Sequence, residues 1–326
     1  MSELLKNIDA RTKLAGTNKL EILLFFLGVD QRTGRRETYG INVFKVREVM
    51  RTPAITAAPD MPPSVEGMVS LRGALVPVID LAKYTGISAD TPREIMIVTE
   101  YNGHTQGFLV EGVDTILRLD WSKMRVPPEM LTAQTGGLVT AVTELEDNRL
   151  VMMMDVEKVL AETTSIDNEI MFRSVVPVDR PDATVFYCDD SSVARKQIER
   201  TLEAMGVRGL GALNGRQMWD EMEKVAGYAK SVGKPASSLI SLVLTDIEMP
   251  EMDGYILTKK IKSDPRFANI PVIMHSSLSG MSNQKLGQSV GVDEYVPKFE
   301  PQRLSETLAR RLKGESEGEA GAIATR

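Results

Sequence analysis

The stretch LVLTDIEMPEMDG, residues 242–254, indicates the fold of half of the chain. Residues Leu242 to Thr245 are apolar or β-branched without polar alternation, which is typical of a strand buried on both faces of a parallel sheet. The run stops at a carboxylate, Asp246, and the Met-Pro and Asp-Gly pairs that follow favour a loop. Because ligands of open α/β sheets bind beyond the carboxyl ends of the strands, Asp246 is predicted to lie at a functional edge.

Strand and helix patterns alternate on both sides of this stretch. Five successive strand–helix units predict a doubly wound, five-stranded parallel sheet in an α/β domain of flavodoxin-like type. The predicted strands are 184–187, 207–213, 239–245, 272–275 and 294–296, and the predicted helices are 193–205, 217–232, 255–262, 283–290 and 301–313.

The first half of the chain has a different pattern, with many short strands at regular spacing between residues 20 and 160. This pattern predicts small all-β barrels rather than a helical or doubly wound fold. Val43, Val46, Val49 and Met50 are spaced as in one or two helical turns, so a short helix is expected there. Pro77, which cannot donate a ladder hydrogen bond, predicts an edge strand or a bulge.

These patterns predict the domain organisation of the 326-residue chain. A short N-terminal segment, 1–18, precedes an all-β domain at 19–163, and a linker at 164–182 leads to the α/β domain at 183–313. The last residues, 314–326, are rich in Gly, Glu, Ala and Ser and are expected to be disordered.

The bulk composition restricts the possible functions. The net charge of −6 disfavours nucleic-acid binding, and a single cysteine, Cys188, excludes an internal disulfide and suits a reducing compartment. The longest apolar run, residues 22–29, is far shorter than the ~20 residues that a membrane helix needs, and the N-terminus does not resemble a signal peptide. We therefore expect a cytoplasmic protein without direct membrane insertion.

Three carboxylates are predicted to meet at one edge of the parallel sheet. Asp189 and Asp190 end its first strand and Asp246 ends its third, and these two strands are neighbours at the switch point of a doubly wound sheet. Two such charges about 4 Å apart repel by about 4 kcal/mol at an effective dielectric constant of about 20. The cluster therefore either raises a pKa or holds a cation, and an all-oxygen site suggests Mg²⁺. Alternatively, Asp189 and Asp190 simply cap the following helix.

Two further groups follow the fourth and fifth strands, Ser276 and Lys298. A hydroxyl and an ammonium beside a carboxylate and Mg²⁺ are the groups that a phosphoryl group needs for hydrogen bonding and charge neutralisation. In this interpretation Asp246 is the nucleophile and forms an aspartyl phosphate.

Taken together, these positions resemble the response-regulator receiver domain over about residues 183–313. The resemblance implies that Asp246 accepts a phosphoryl group from a histidine kinase and that Asp190, Asp246 and the carbonyl of Glu248 ligate Mg²⁺, with Asp189 assisting. It also implies that Ser276 and Tyr295 form the switch pair of that family. One departure puts the placement of Lys298 in question, because the family usually has Pro after this Lys whereas Phe299 stands here.

The first half contains no recognisable catalytic motif, so its function is predicted to be binding. Residues 71–81, LRGALVPVIDL, resemble the CheW coupling domain most densely, within a likeness that extends over about 19–163. This resemblance implies two small five-stranded barrels that dock to the cytoplasmic tips of chemoreceptors and to the homologous domain of the histidine kinase CheA. Arg72 is the candidate for the receptor or kinase interface, and a solvated turn residue is the alternative.

A CheW-like domain followed by a receiver domain resembles the architecture of the CheV family of chemotaxis coupling proteins. The implied function is a scaffold between chemoreceptors and CheA that phosphorylation of Asp246 modulates, as in adaptation, at membrane receptor arrays. No enzyme activity beyond its own phosphotransfer and dephosphorylation is expected. One alternative is a phosphate sink for CheA without control of coupling. Another is an aspartyl-phosphate phosphohydrolase, although those of the haloacid dehalogenase type have Asp-x-Asp after the first strand, where this chain has Asp189-Asp190-Ser191.

Overall fold

The computed structural model describes residues 19–88, 91–101, 104–163, 172, 174–277 and 287–313. The chain divides into two compact units, residues 1–165 and 166–326. The predictions for 1–18, for 314–326 and for the first half of the helix at 283–290 lie outside the described residues. Among the described helices, none has the length and apolar character that crossing a bilayer requires.

The first unit is built from ten strands in two five-stranded sheets, with strand orders β8-β1-β2-β10-β9 and β3-β6-β7-β5-β4. Its strands are β1 (Lys19–Phe26), β2 (Thr38–Asn42), β3 (Val46–Arg51), β4 (Val65–Leu71), β5 (Ala74–Asp80), β6 (Ile95–Tyr101), β7 (His104–Val110), β8 (Gly112–Asp120), β9 (Val139–Glu144) and β10 (Leu150–Met154). Its helices are α1 (Leu81–Thr85), α2 (Glu129–Gln134) and α3 (Val156–Thr163).

Each sheet of the first unit is closed by one reciprocal pair of backbone hydrogen bonds. After β3, Thr56 and Met68 exchange N–H to O bonds of 2.9 Å in both directions. After β8, Arg125 and Val142 do the same, also at 2.9 Å. Each bridge joins the segment that follows one outer strand of a sheet to the other outer strand, β4 or β9, so the unit is the predicted pair of small five-stranded barrels.

Gly67 makes the first of these closures possible. Its φ of 136° lies in a region that L side chains rarely adopt, at a register shift between β4 and β5. A Cβ on Gly67 would lie 2.1 Å from the backbone oxygen of Thr56. Only glycine therefore lets β4 approach the segment that closes this barrel.

β1 shows why the sequence at residues 22–27 is apolar without interruption. Leu20, Ile22 and Leu24 belong to one core cluster of the first sheet, whereas Leu23 and Phe25 belong to a larger cluster that contains residues of both sheets. β1 is thus buried on both of its faces.

One local prediction for the first unit is wrong, and of the two alternatives for Pro77 the edge strand is wrong, whereas a register shift does lie at the next pair, Gly67 and Val78. Val43–Lys45 is a single 3-10 turn, and β3 begins directly after it at Val46, because β-branched residues at this spacing pair with β6 as readily as they fit a helix. β5 is an interior strand rather than an edge. Pro77 is accommodated because pairing with β7 starts only at the next residue, Val78.

The second unit is a parallel five-stranded sheet in the order β12-β11-β13-β14-β15. This is the doubly wound, flavodoxin-like order, which confirms the predicted fold class. Its strands are β11 (Thr184–Cys188), β12 (Arg208–Ala212), β13 (Leu242–Thr245), β14 (Val272–Ser276) and β15 (Glu294–Pro297). Its helices are α4 (Ser192–Met205), α5 (Gly215–Ser231), α6 (Gly254–Ser263) and α7 (Pro301–Leu312), and residues 287–290 are also helical.

The central strand β13 divides the core of this unit into two clusters. Val243 contributes to the cluster that contains Trp219, and Leu242 and Leu244 contribute to the cluster on the other face. Every residue of β13 is fully buried, as its sequence predicts. The strand therefore delivers Asp246, the next residue, to the carboxyl edge of a rigid sheet.

Candidate functional site

Three carboxylates meet at the carboxyl edge of the second sheet. β11 and β13 pair in parallel with Cys188 opposite Thr245, so the residues that follow these two positions are neighbours. One carboxylate oxygen from each of Asp189, Asp190 and Asp246 lies within 4.8 Å of the others. Asp189 and Asp246 are buried and Asp190 is partly exposed. The sequence therefore predicted this cluster from strand order alone.

Lys298 lies between two of these carboxylates. Its Nζ is 2.9 Å from Asp189 Oδ2 and 2.9 Å from Asp246 Oδ2, and only 1% of its side chain is exposed. The departure from the receiver pattern at Phe299 does not displace Lys298. Phe299 instead adopts a left-handed backbone conformation with φ of 61°, which turns the chain from β15 toward α7.

The backbone around Asp246 fixes its carboxylate. The N–H of Ile247 donates to Asp246 Oδ1 at 2.7 Å, while Lys298 donates to Oδ2. Both donors stabilise the ionised carboxylate, because each places partial or full positive charge against one of its oxygens.

The Asp-Gly pair after β13 has a structural role beside Asp246. Asp253 caps α6 by accepting the N–H of Ile256 at 2.7 Å. Gly254 packs directly on the phosphoacceptor candidate, since a Cβ there would lie 2.0 Å from the backbone oxygen of Asp246. The loop that follows β13 therefore returns against Asp246 and restricts how it can move.

Arg195 is a site residue that sequence reasoning missed. From α4, its Nη1 donates to the backbone oxygens of Asp189 at 2.7 Å and Asp190 at 2.9 Å. The acidic pair is not the cap of this helix, because the cap is Ser191, which accepts the N–H of Ala194. Arg195 instead holds the loop that presents both carboxylates. Its only sequence signal is its place about one helical turn after the pair.

Ser276 lies on β14, which pairs with β13, and Tyr295 lies on the edge strand β15 beyond it. Ser276 ends β14, is 4% exposed, and its backbone oxygen accepts the N–H of Lys298 at 3.3 Å. Tyr295 on β15 is hydrogen-bonded to Tyr255, and burial raises the pKa of both phenols above the usual value. The Tyr295 hydroxyl occupies the space that a Cβ on Gly287 would need, at 1.9 Å. Sequence reasoning missed Tyr255, which follows the Asp-Gly pair directly.

The remaining predicted site residues are Glu248 and Arg72. Glu248 lies two residues after Asp246 on the same loop and is partly buried. Arg72 belongs to the first unit, in the turn between β4 and β5, with φ of 50°. Its side chain is 68% exposed and pairs with Glu48 at 3.0 Å.

The two side chains with nucleophilic or metal-binding potential near the cluster are built into the core. Cys188 is 1% exposed, burial raises the pKa of its thiol, and its Sγ donates to Thr245 Oγ1 at 3.2 Å. His275 is 2% exposed within β14. Both side chains are therefore core residues.

Comparison with known proteins identifies two families in the chain. Residues 24–164 match the CheW-like domain and residues 185–309 match the response regulator receiver domain. Chemotaxis protein CheV3 of Helicobacter pylori is 30% identical over 302 residues, covering 90% of this chain and 95% of that protein. CheV1 of the same organism is 24% identical over 332 residues, covering 96% and 99%. The crystal structure of the scaffolding protein TtCheW from Thermoanaerobacter tengcongensis is 28% identical, with a TM-score of 0.37, covering 42% of this chain and 88% of that one.

These matches confirm the predicted combination of domains and the predicted adaptor function. Both domains occur in the predicted order, and one relative is matched at 30% identity over 95% of its length. The chain therefore belongs to the CheV family of chemotaxis proteins, coupling adaptors that join a CheW-like domain to a receiver domain.

Proposed function

We propose that Asp246 is the phosphoacceptor of the receiver domain and that its phosphorylation by the histidine kinase CheA modulates coupling between chemoreceptors and that kinase. The observation that carries this proposal is the position of Lys298, whose ammonium is 2.9 Å from both Asp189 and Asp246 beside a third carboxylate. A buried cation among convergent carboxylates is the arrangement that phosphoryl transfer to a carboxylate requires.

The donor set at this edge fits Mg²⁺. The three aspartate side chains offer only oxygen ligands within 4.8 Å of one another, and hard divalent cations prefer such ligands. We propose Asp190, Asp246 and the carbonyl of Glu248 as ligands, with Asp189 assisting. When bound, the ion supplies positive charge that neutralises oxygens of the phosphoryl group.

The side chains of this protein have distinct roles in the transfer. A carboxylate oxygen of Asp246 forms a bond to phosphorus as the bond from phosphorus to the histidine nitrogen of the kinase breaks. Lys298 lies within reach of an oxygen of the transferred group, and Ser276 at the end of β14 offers a hydroxyl donor. Phosphorylation places a charge of about −1.5 to −2 on Asp246. This charge competes with Asp189 for the ammonium of Lys298, which contacts both aspartates in the unphosphorylated protein.

The switch that reads this charge is proposed to be the pair Ser276 and Tyr295. The hydroxyl of Ser276 belongs to the strand end beside Lys298. A reorientation of Ser276 toward the phosphoryl group would alter the packing around Tyr295, which is now held by Tyr255. If Tyr295 has one packing in the unphosphorylated domain and another after phosphorylation, the phosphoryl group shifts the equilibrium between two states of the domain.

The first unit is proposed to bind the cytoplasmic tips of chemoreceptors and CheA, which places the protein at receptor arrays. The match to the CheW-like domain supports this assignment. Arg72 is the proposed interface residue, since its side chain is 68% exposed. Leu75, the second residue of β5 after this turn, is 72% exposed, so a cation and an apolar side chain are both available to a partner.

The phosphotransfer is tested with radiolabelled, phosphorylated CheA. We expect label on the wild-type protein only with Mg²⁺, no label on Asp246→Asn, and slow or absent labelling of Lys298→Ala. Asp220→Asn, an exposed aspartate of the same unit, is the matched control and should be labelled as the wild type is. Label on Asp246→Asn would refute the assignment.

The coupling role is tested by reconstituting receptors, CheA and this protein on membranes. Asp246→Ala should alter receptor control of the kinase. If it supports the same control as the wild type, the phosphorylation switch is wrong and the phosphate sink remains. Turnover of added phosphate esters by the wild type would instead favour a phosphohydrolase.

A further inference from the structure

The segment that leads into the second unit is docked on that unit before its first strand begins. We define this lead-in segment as Phe172 and residues 174–183. Val178 is 7% exposed and belongs to the core cluster that contains Met205 and Leu312, and Val175 packs on the same cluster. Both valines fall within the predicted linker 164–182; Val178 has the burial of a core residue, and Val175 is partly buried against the same cluster.

Directional contacts attach the lead-in segment to α4. The N–H of Val178 donates to the backbone oxygen of Met205, at the end of α4, at 3.0 Å. The guanidinium of Arg200 lies over the ring of Phe172, with Cζ 4.3 Å from the ring centroid. One end and the middle of the segment are thus fixed to the first helix of the unit.

A second set of contacts attaches the segment to α7. The N–H of Val176 donates to Ser305 Oγ at 3.3 Å, and Ser305 is fully buried. Arg180 Nη1 donates to the backbone oxygen of Leu312, in the last turn of α7, at 2.8 Å. The segment therefore bridges α4 and α7 and depends on their relative position.

Helix α7 is in turn clamped to the strand that carries Tyr295 and precedes Lys298. Glu294, the first residue of β15, is 8% exposed and accepts hydrogen bonds from Arg310 and from Arg311 Nε, the latter at 2.8 Å. A displacement of β15 or of the turn after it therefore acts on α7, which begins at Pro301.

We propose that the lead-in segment is a phosphorylation-sensitive strap, held on α4 and α7 while Lys298 joins Asp189 to Asp246 and loosened when a phosphoryl group on Asp246 takes that ammonium. This inference rests on the proposed function of Asp246. The physical step is a shift of Lys298 toward the greater negative charge, which moves the turn into α7 and with it Ser305 and the carbonyl of Leu312.

Loosening of the strap changes the connection between the two units. With the strap docked, residues 164–171 alone separate Thr163, the end of α3, from Phe172. With the strap released, the separation extends to Thr184, the start of β11. Because the effective concentration of one tethered module near another falls as the tether lengthens, the strap would control how strongly the receiver acts on the coupling domain.

The proposal is tested on the full chain by hydrogen–deuterium exchange, with beryllium fluoride and Mg²⁺ as the phosphoryl mimic. We expect the amides of Val176 and Val178 to be protected without the mimic and to exchange at least tenfold faster with it. Fluorine NMR of the bound fluoroberyllate reports site occupancy independently. Bound mimic with unchanged exchange overturns the strap and leaves the function of Asp246 intact, whereas absence of binding overturns both.

Two variants separate a regulated strap from a merely structural one. Arg180→Ala and Val178→Ala remove anchors far from the carboxylate cluster, so the amide of Val176 should exchange rapidly even without the mimic, and the mimic should add less than twofold. Asp179→Ala, an exposed position in the same segment, is the control and should behave as the wild type does. Full protection of Val176 in both anchor variants would overturn the proposal.

Discussion

Replacement of Lys298 by methionine tests the centre of the site, because it removes one charge and keeps most of the side-chain volume. The Lys298 side chain is 1% exposed, and its ammonium contacts two buried carboxylates at 2.9 Å each. In the variant, Asp189 and Asp246 would face each other and Asp190 without a cation.

The structure allows the size of the effect to be estimated. Charged carboxylate oxygens that lie within 4.8 Å of one another repel by at least about 3.5 kcal/mol at an effective dielectric constant of about 20. Removal of one partner from a buried ion pair typically costs about 3–5 kcal/mol. We therefore expect Lys298→Met to lower the free energy of unfolding of the second unit by about 3–5 kcal/mol without divalent cations.

Magnesium should reverse much of this loss. A cation that binds only the folded state stabilises it by about 2.7 kcal/mol at 100 times its dissociation constant. Because the variant has no ammonium to compete for Asp189 and Asp246, the stabilisation by Mg²⁺ should be larger in Lys298→Met than in the wild type.

The assay is urea unfolding followed by tryptophan fluorescence. The chain has two tryptophans, Trp121 in a core cluster of the first unit and Trp219 in a core cluster of the second. A Trp121→Phe background therefore reports the second unit alone. Lys259→Met, an exposed lysine of the same unit, is the matched control and should change stability by less than about 0.5 kcal/mol.

Two results would contradict this reasoning. If Lys298→Met unfolds at the same urea concentration as Lys259→Met, Lys298 does not neutralise the carboxylates. If the variant is destabilised but Mg²⁺ restores nothing, the cluster does not hold the ion that we propose.

Three further perturbations test other parts of the molecule. Gly67→Ala should destabilise the first unit by about 3 kcal/mol or more, because its Cβ would meet a backbone oxygen at 2.1 Å. Gly112→Ala is the control, because a Cβ on Gly112 would have no atom within 4 Å. Equal urea midpoints of the two variants, measured by circular dichroism, would contradict the predicted clash at Gly67. Arg195→Ala should weaken Mg²⁺ binding in calorimetric titration by about tenfold or more, while the exposed Lys196→Ala should not. Cys188 should be inert to a thiol reagent at pH 8 until the protein unfolds, because burial raises its pKa. Rapid labelling of the folded protein would refute this expectation about the thiol. Because the pKa of Cys188 is raised in the folded state, the stability that the neutral thiol contributes is present below the unfolded pKa of about 8.5 and is lost at higher pH.

The parts of the site that could be predicted from sequence are those that follow from topology. Asp189 and Asp246 end apolar runs, and the order of a doubly wound sheet makes those runs neighbours, so their meeting needs no knowledge of side-chain packing. Lys298 was predicted in the same way from its place after the fifth strand. In each case a charged residue directly follows a strand of the sheet, which is a strong local signal.

The parts that could not be predicted depend on contacts without a local signal. Arg195 has the sequence context of any solvated helical arginine, and only its distance to two carbonyl oxygens reveals its role. Phe299 adopts a positive φ although it is neither glycine nor asparagine, the residues that most often do so. The valines around Val46 fit a helix and a strand equally well, and pairing with β6 decides between them.

The closure of both sheets in the first unit limits association with other molecules through main-chain hydrogen bonds. An open sheet presents a row of unsatisfied amide and carbonyl groups to which a second molecule can add a strand. Here the Thr56–Met68 and Arg125–Val142 bridges bring the outer strands of each sheet together. Among the described residues of the first unit, the main-chain groups at these two closures are therefore already paired and are not offered to a strand of a second molecule.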